Sequence, residues 1–137
     1  SEMIEEGKEV LLDFNKLISI AEKEVSVIPA VVQDIDSGEV LLIGYVNEEA
    51  LRYTLEKKVA AFWSTSRNEL WVKGATSGDT LEILDVYVNC EQNSLLYKVK
   101  MLGGGSCHTK DAAGNTRVGC YYRLIRDGML VHAEKND

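Results

Sequence analysis

The chain is short of positive charge, of long apolar runs, and of thiols and imidazoles, and each shortage excludes something. Its 15 Lys and Arg stand against 22 Asp and Glu, a formal net charge of −7. Nucleic-acid binders draw affinity from clustered cations. Here the cations are scattered, so no nucleic-acid partner is expected, although a few cations converging with backbone N–H groups would still suffice for a small anion. No apolar run approaches the roughly 20 residues of a membrane-spanning helix, so no membrane partner is expected either. Residues 1–6 carry neither the basic n-region nor the apolar h-region of an export signal, and the expected location is cytoplasmic. Three cysteines are too few and odd in number for a disulfide framework in such a setting, which shifts the expectation to metal binding or catalysis. Repeats, low-complexity tracts and linkers are lacking.

What remains fits one α+β domain over residues 1–137, with a hydrophobic fraction of 45% ordinary for a globular chain. Val10, Leu11, Phe14, Leu17, Ile18 and Ala21 recur with a helical period and predict a helix over 9–24, within an N-terminal helical segment at 1–27. A strand at 28–35, a turn at Asp36-Ser37-Gly38 and a returning strand at 39–46 make a hairpin. Asn47 reads as an N-cap, with Glu48 and Glu49 favourably placed in the first turn of a helix running to 58. Short β runs follow at 60–64, 70–73, 80–88 and 95–101, separated by turn residues at 67–68 and 74–79. The expected architecture is a largely antiparallel, twisted sheet with a few helices. The tail at 133–137 reads as frayed.

The chemistry concentrates at Gly103-Gly104-Gly105-Ser106-Cys107-His108-Thr109 and on to Cys120-Tyr121-Tyr122-Arg123. Cys90, Cys107 and Cys120 supply the thiolates zinc prefers, and three protein ligands leave a fourth position for water. Their wide spacing is unlike that of structural zinc knuckles, and on spacing alone they read equally well as small buried apolar residues. His108 follows Cys107 directly, where an imidazole beside a metal would serve as general acid or base; an ordinary exposed or satisfied loop histidine is the other reading, and it is the reading for His132. In Trp71-Val72-Lys73-Gly74-Ala75-Thr76-Ser77-Gly78, an ammonium, two hydroxyls and backbone N–H groups suit a phosphate. An exposed hairpin turn is the plainer reading. Ser64, Ser66 and Arg67 lie one predicted hairpin away and can join the same anion pocket.

Taken together and in order, these residues resemble the phosphoribosyl-AMP cyclohydrolase family of histidine biosynthesis. The resemblance spans roughly 31–123. It rests on Gly38-Glu39-Val40-Leu41, Gly44-Tyr45-Val46-Asn47-Glu48-Glu49-Ala50-Leu51, Phe62-Trp63-Ser64 with Ser66-Arg67, and Leu70-Trp71-Val72-Lys73-Gly74. It continues through Thr76-Ser77-Gly78, Asn89-Cys90-Glu91, Leu95-Leu96, Cys107-His108-Thr109 and Cys120-Tyr121-Tyr122-Arg123.

The resemblance implies a homodimer in which zinc is held by Cys90 of one subunit with Cys107 and Cys120 of the other. It implies hydrolysis of the N1–C6 bond of the adenine ring in 1-(5-phosphoribosyl)-AMP, with metal-activated water attacking C6 and His108 managing the protons. Arg67, Lys73, Gly74, Thr76, Ser77 and Gly78 would bind the nucleotide and its phosphates. Family members carry Asp-Cys-Asp-x-Asp around the first cysteine, which holds magnesium; here Asn89, Glu91 and Asn93 replace the three aspartates. That removes two formal negative charges from a hard-cation site, so a weakened magnesium site at Asn89, Glu91 and Asn93 is expected, in which Glu91 alone would hold the ion with the substrate's phosphates. Further departures are Thr65 for Arg, Ala75 for Glu, Asp79 for His, and a longer segment between Cys107 and Cys120. At this point a relative acting on another purine-like or amidine ring, and a non-catalytic zinc-clamped nucleotide-binding dimer, stand as alternatives.

Overall fold

A computed structural model describes residues 2–133. Its centre is a four-stranded sheet in the order β2-β1-β6-β5, formed by β1 (Ile28–Asp34), β2 (Val40–Val46), β5 (Leu81–Val88) and β6 (Leu95–Met101). The β1–β2 and β5–β6 pairs are antiparallel and the central β1–β6 pair is parallel, so the α+β expectation of a largely antiparallel sheet holds with one parallel seam. Pro29 lies where β1 is paired on one side only, because β6 joins at Ala30; a missing N–H is tolerated there.

Two hairpins flank this sheet. Strands β3 (Ala61–Ser64) and β4 (Glu69–Val72) form one, and β7 (Arg123–Arg126) and β8 (Met129–His132) the other. Alternation along β1 and β6 buries one face, and Val32, Tyr97 and Val99 meet Leu41, Phe62 and Leu81 in a common core. Phe62 packs its ring 5.6 Å from Trp71 and 5.9 Å from Tyr97. Helix α3 (Glu48–Lys57) closes the core over β2 and β3. It starts where Asn47 predicts, with the Ala50 N–H donating to the Asn47 side chain at 2.9 Å, and ends on Lys58 in the left-handed region at φ 59°.

The N-terminal expectation needs correction. Instead of one helix over 9–24 there are two short ones, α1 (Glu2–Glu6) and α2 (Lys16–Glu22). Of the periodic apolar residues, Leu11, Phe14, Leu17 and Ile18 are exposed, and Ile20 is the buried side chain of α2. Short helices in water depend on burying a face; within this chain that face has no partner layer, so helix forms only around Ile20. The hairpin β7–β8 was not anticipated. Its turn, Asp127-Gly128, has both φ values positive, at 52° and 77°, the geometry of a two-residue hairpin for which Asp-Gly is a strong signal. At the C-terminus, Ala133 is tied by its N–H to the Tyr122 carbonyl at 2.9 Å rather than frayed, and 134–137 lie outside the described residues. His132, expected as an ordinary loop histidine, instead ends strand β8 and stacks on Tyr122 at 6.0 Å. Among the described residues no helix is long and apolar enough to cross a membrane.

Candidate active site

The site begins where β4 ends. Register pairs Phe62 with Trp71 and Ala61 with Val72, and the Lys73 N–H donates to the Ala60 carbonyl at 3.1 Å, so Lys73 leaves the hairpin at a fixed point. Lys73 is 6% exposed, and no hydrogen bond or ion pair engages its ammonium among the described residues. A buried cation without a carboxylate is costly unless something anionic approaches. Gly74 then turns the chain at φ 79°, and a Cβ there would stand 2.3 Å from the Asp79 backbone; both features require glycine. The Gly78 N–H closes this turn onto the Gly74 carbonyl at 2.9 Å. Asp79 in turn accepts from the Gly104 N–H at 3.3 Å, which links the turn to the glycine-rich loop.

That loop, residues 103–122, is pinned by polar contacts. The Ser106 hydroxyl donates to the Val118 carbonyl at 2.5 Å, the Cys107 N–H to the Arg117 carbonyl at 3.1 Å, and the Cys120 N–H to Leu41 of β2 at 2.7 Å. Cys107, buried, and Cys120 are thereby neighbours. The Cys120 thiol hydrogen-bonds Cys107, and this contact, with the Thr109 hydroxyl 3.0 Å from the sulfur, holds the Cys107 thiol down to about 5. The same contact pushes the Cys120 thiol up. One thiolate is thus available at neutral pH beside a second thiol, and thiolate is the form that binds a soft metal.

A cleft of about 560 Å³ joins the two parts: Arg67, Lys73, Gly74, Thr76 and Ser77 line it together with Cys107 and His108. Six of the residues singled out in the sequence for anion binding or proton transfer therefore share one cavity. Gly78, also singled out, does not line it; its part is the turn. Arg67 pairs with Glu69 at 3.2 Å on the exposed rim, while Ser64 and Ser66 shape the β3–β4 turn, 3.5 Å apart.

A family model described as Phosphoribosyl-AMP cyclohydrolase matches residues 42–122, which takes in the cleft and all three cysteines. The chain belongs to the phosphoribosyl-AMP cyclohydrolase family. It is 44% identical over 114 residues to a phosphoribosyl-AMP cyclohydrolase of Hyphomonas neptunium, covering 83% of this chain and 82% of that one. It is 47% identical over 96 residues to that of Chlorobium chlorochromatii, covering 70% and 65%. To that of Chlorobium phaeovibrioides it is 37% identical over 125 residues, covering 90% and 86%.

Two placements bear on the metals the cyclohydrolase resemblance implies. Cys90 lies in the β5–β6 turn beside Leu95, whereas Cys107 follows Met101 at the other end of β6, a strand length of about 20 Å apart. Among the described residues no group of three His, Cys, Asp or Glu side chains is close enough to hold a metal. One chain thus offers two adjacent thiols in one place and the third thiol in another. The second placement concerns Asn89, Glu91 and Asn93. The Asn89 side-chain oxygen accepts the N–H groups of Asn93 and Ser94, both at 2.9 Å, and its amide donates to the Asn93 side chain at 2.7 Å. Both amides cap their own turn, which leaves Glu91 as the one carboxylate of the three. This set does not fit magnesium, which favours carboxylates with free lone pairs.

Sequence reasoning missed the contacts made by the first helix. Glu5 meets His108 side chain to side chain, and Glu6 holds Arg117 through both guanidinium nitrogens at 2.9 and 3.0 Å. Arg117 in turn donates to Thr109 at 3.0 Å. Glu5 and Glu6 fall outside the segment the cyclohydrolase model matches. No local pattern announces pairs so far apart in the chain.

Proposed function

We propose that the chain is a zinc-dependent hydrolase that opens the adenine ring of 1-(5-phosphoribosyl)-AMP at the N1–C6 bond, the ring-opening step of L-histidine biosynthesis, working as a cytoplasmic homodimer. The observation that carries this reading is the shared cleft: a buried ammonium at Lys73, which no hydrogen bond or ion pair engages among the described residues, and the hydroxyls of Thr76 and Ser77 lie in the same cavity as the Cys107 thiol and the His108 imidazole. Such a cavity can grip a phosphate at one side and present a reactive centre at the other.

Cys107 and Cys120 would hold zinc together with Cys90 of a second copy, since Cys90 of the same chain sits at the far end of β6. Bound there, zinc would supply the Lewis acidity that makes water a nucleophile near neutral pH. His108, exposed on the cleft wall, would take a proton from the attacking water and return it to N1 as the C–N bond breaks. Lys73 and Arg67 would neutralise the two phosphates. No step is assigned to magnesium.

The test pairs metal content with turnover. Purified protein should carry about one zinc per chain and convert phosphoribosyl-AMP to its ring-opened product. Cys90→Ser should lose zinc although Cys107 and Cys120 are intact. Folded, zinc-loaded protein with no turnover would sink the assignment, and a monomer that binds zinc fully would sink the shared site.

A further inference from the structure

We propose that Glu5, on the first helix, is a positioning residue that orients the His108 ring and fixes the tautomer of its neutral form. The inference rests on the reading of His108 as the acid/base of the cyclohydrolase reaction.

The His108 side chain is 78% exposed, and among the described residues its ring has one hydrogen-bond partner, the Glu5 carboxylate, at Nε2. A carboxylate accepts, so Nε2 carries a hydrogen, and in the neutral ring Nδ1 then keeps the lone pair. Without that partner, a ring this exposed would sample both tautomers and several rotamers. His108 lines the cleft with Lys73 and Cys107. Fixing its ring therefore fixes a reacting nitrogen.

Glu5 is itself held at its backbone. The Tyr122 hydroxyl donates to its carbonyl at 2.8 Å, and Arg123 donates to the carbonyls on either side, Ile4 at 2.7 Å and Gly7 at 3.0 Å. Next to it, Glu6 binds the buried Arg117 guanidinium, which stacks 3.9 Å over the Tyr122 ring. Residues 4–7 thus form a strap across the loop that carries Cys107, His108 and Cys120. The family model's match begins at residue 42, so the strap lies outside it.

The contact can be broken in the full-length, zinc-loaded protein without disturbing the strap's backbone. Glu5→Ala should lower kcat about tenfold, the scale of losing a partner that orients a catalytic imidazole, with KM for phosphoribosyl-AMP changed by less than about twofold. Glu5→Gln should fall between, since an amide oxygen can still accept from Nε2. In a His108→Ala background the same Glu5→Ala change should cost nothing further. The chain has two histidines, so imidazole nitrogen shifts of His108 can be assigned by NMR. They should show the Nε2–H tautomer in the wild type and a mixture in Glu5→Ala. The proposal is overturned if wild type turns over and Glu5→Ala matches it, if the loss is the same with and without His108, or if the tautomer is indifferent to Glu5. A wild-type protein with no turnover would instead remove the cyclohydrolase reading, and the tautomer shift would still decide the contact.

Discussion

In the four-stranded sheet, Val32, Tyr97 and Val99 are completely covered, whereas in the loop at 103–122 the covered side chains include Ser106 and Arg117. The sheet is held by apolar area that alternates onto one face. The loop is held by directed polar contacts: a hydroxyl to a carbonyl, an N–H to β2, a guanidinium clamped by Glu6. Apolar packing is insensitive to small changes in direction and contributes broadly to stability. Hydrogen bonds set angles and distances and contribute little net free energy each. Stability and chemical geometry are therefore held by different residues, in adjoining parts of one small chain.

Three substitutions would break or sharpen this division. Phe62→Ala removes the ring between Trp71 and Tyr97 and should cost about 3–5 kcal/mol of folding stability, measured by urea denaturation. If the division holds, the surviving folded fraction keeps its kcat. Lys73→Met keeps the bulk but removes the buried cation. It should lower kcat/KM for phosphoribosyl-AMP by about 2 kcal/mol, the worth of a charge-assisted contact. Stability should stay level or rise, because an unpaired buried charge is gone. A matching loss of stability would show that Lys73 belongs to the scaffold after all. Asn47→Ala removes the α3 cap and should cost about 1 kcal/mol of stability, with turnover unchanged.

The same division explains what could be read from the sequence. Strand β6 matches the run expected at 95–101, where Leu95-Leu96-Tyr97-Lys98-Val99 suits an interior strand, and it lies between β1 and β5. Asn47 with Glu48 and Glu49 predicted α3 because a cap is a local device. The helix expected over 9–24 failed because periodicity reports an apolar face but not whether anything covers it, and Phe14 and Leu17 are left in water. Of the candidate site, the cleft-lining Lys73, Thr76, Ser77, Cys107 and His108 are legible from residue type and from the ordered resemblance to the family. The self-capping of Asn89 and Asn93 was not, since a change from Asp to Asn shows the lost charge but not where the amide turns. Glu5 was invisible because its contact joins residues 103 positions apart.

The parallel seam between β1 and β6 has a consequence for the order in which the chain assembles. The hairpins β1–β2 and β5–β6 join neighbours in sequence and close cheaply, whereas the seam joins Ala30 to Leu95 and must first close a long loop. Each hairpin can form alone, but neither buries its face until the seam zips them together. The loop bearing Cys107 and Cys120 hangs from both halves, continuing β6 at one end and bonded to Leu41 of β2 at the other. The paired thiols of Cys107 and Cys120 therefore come together only once the seam has joined the two halves.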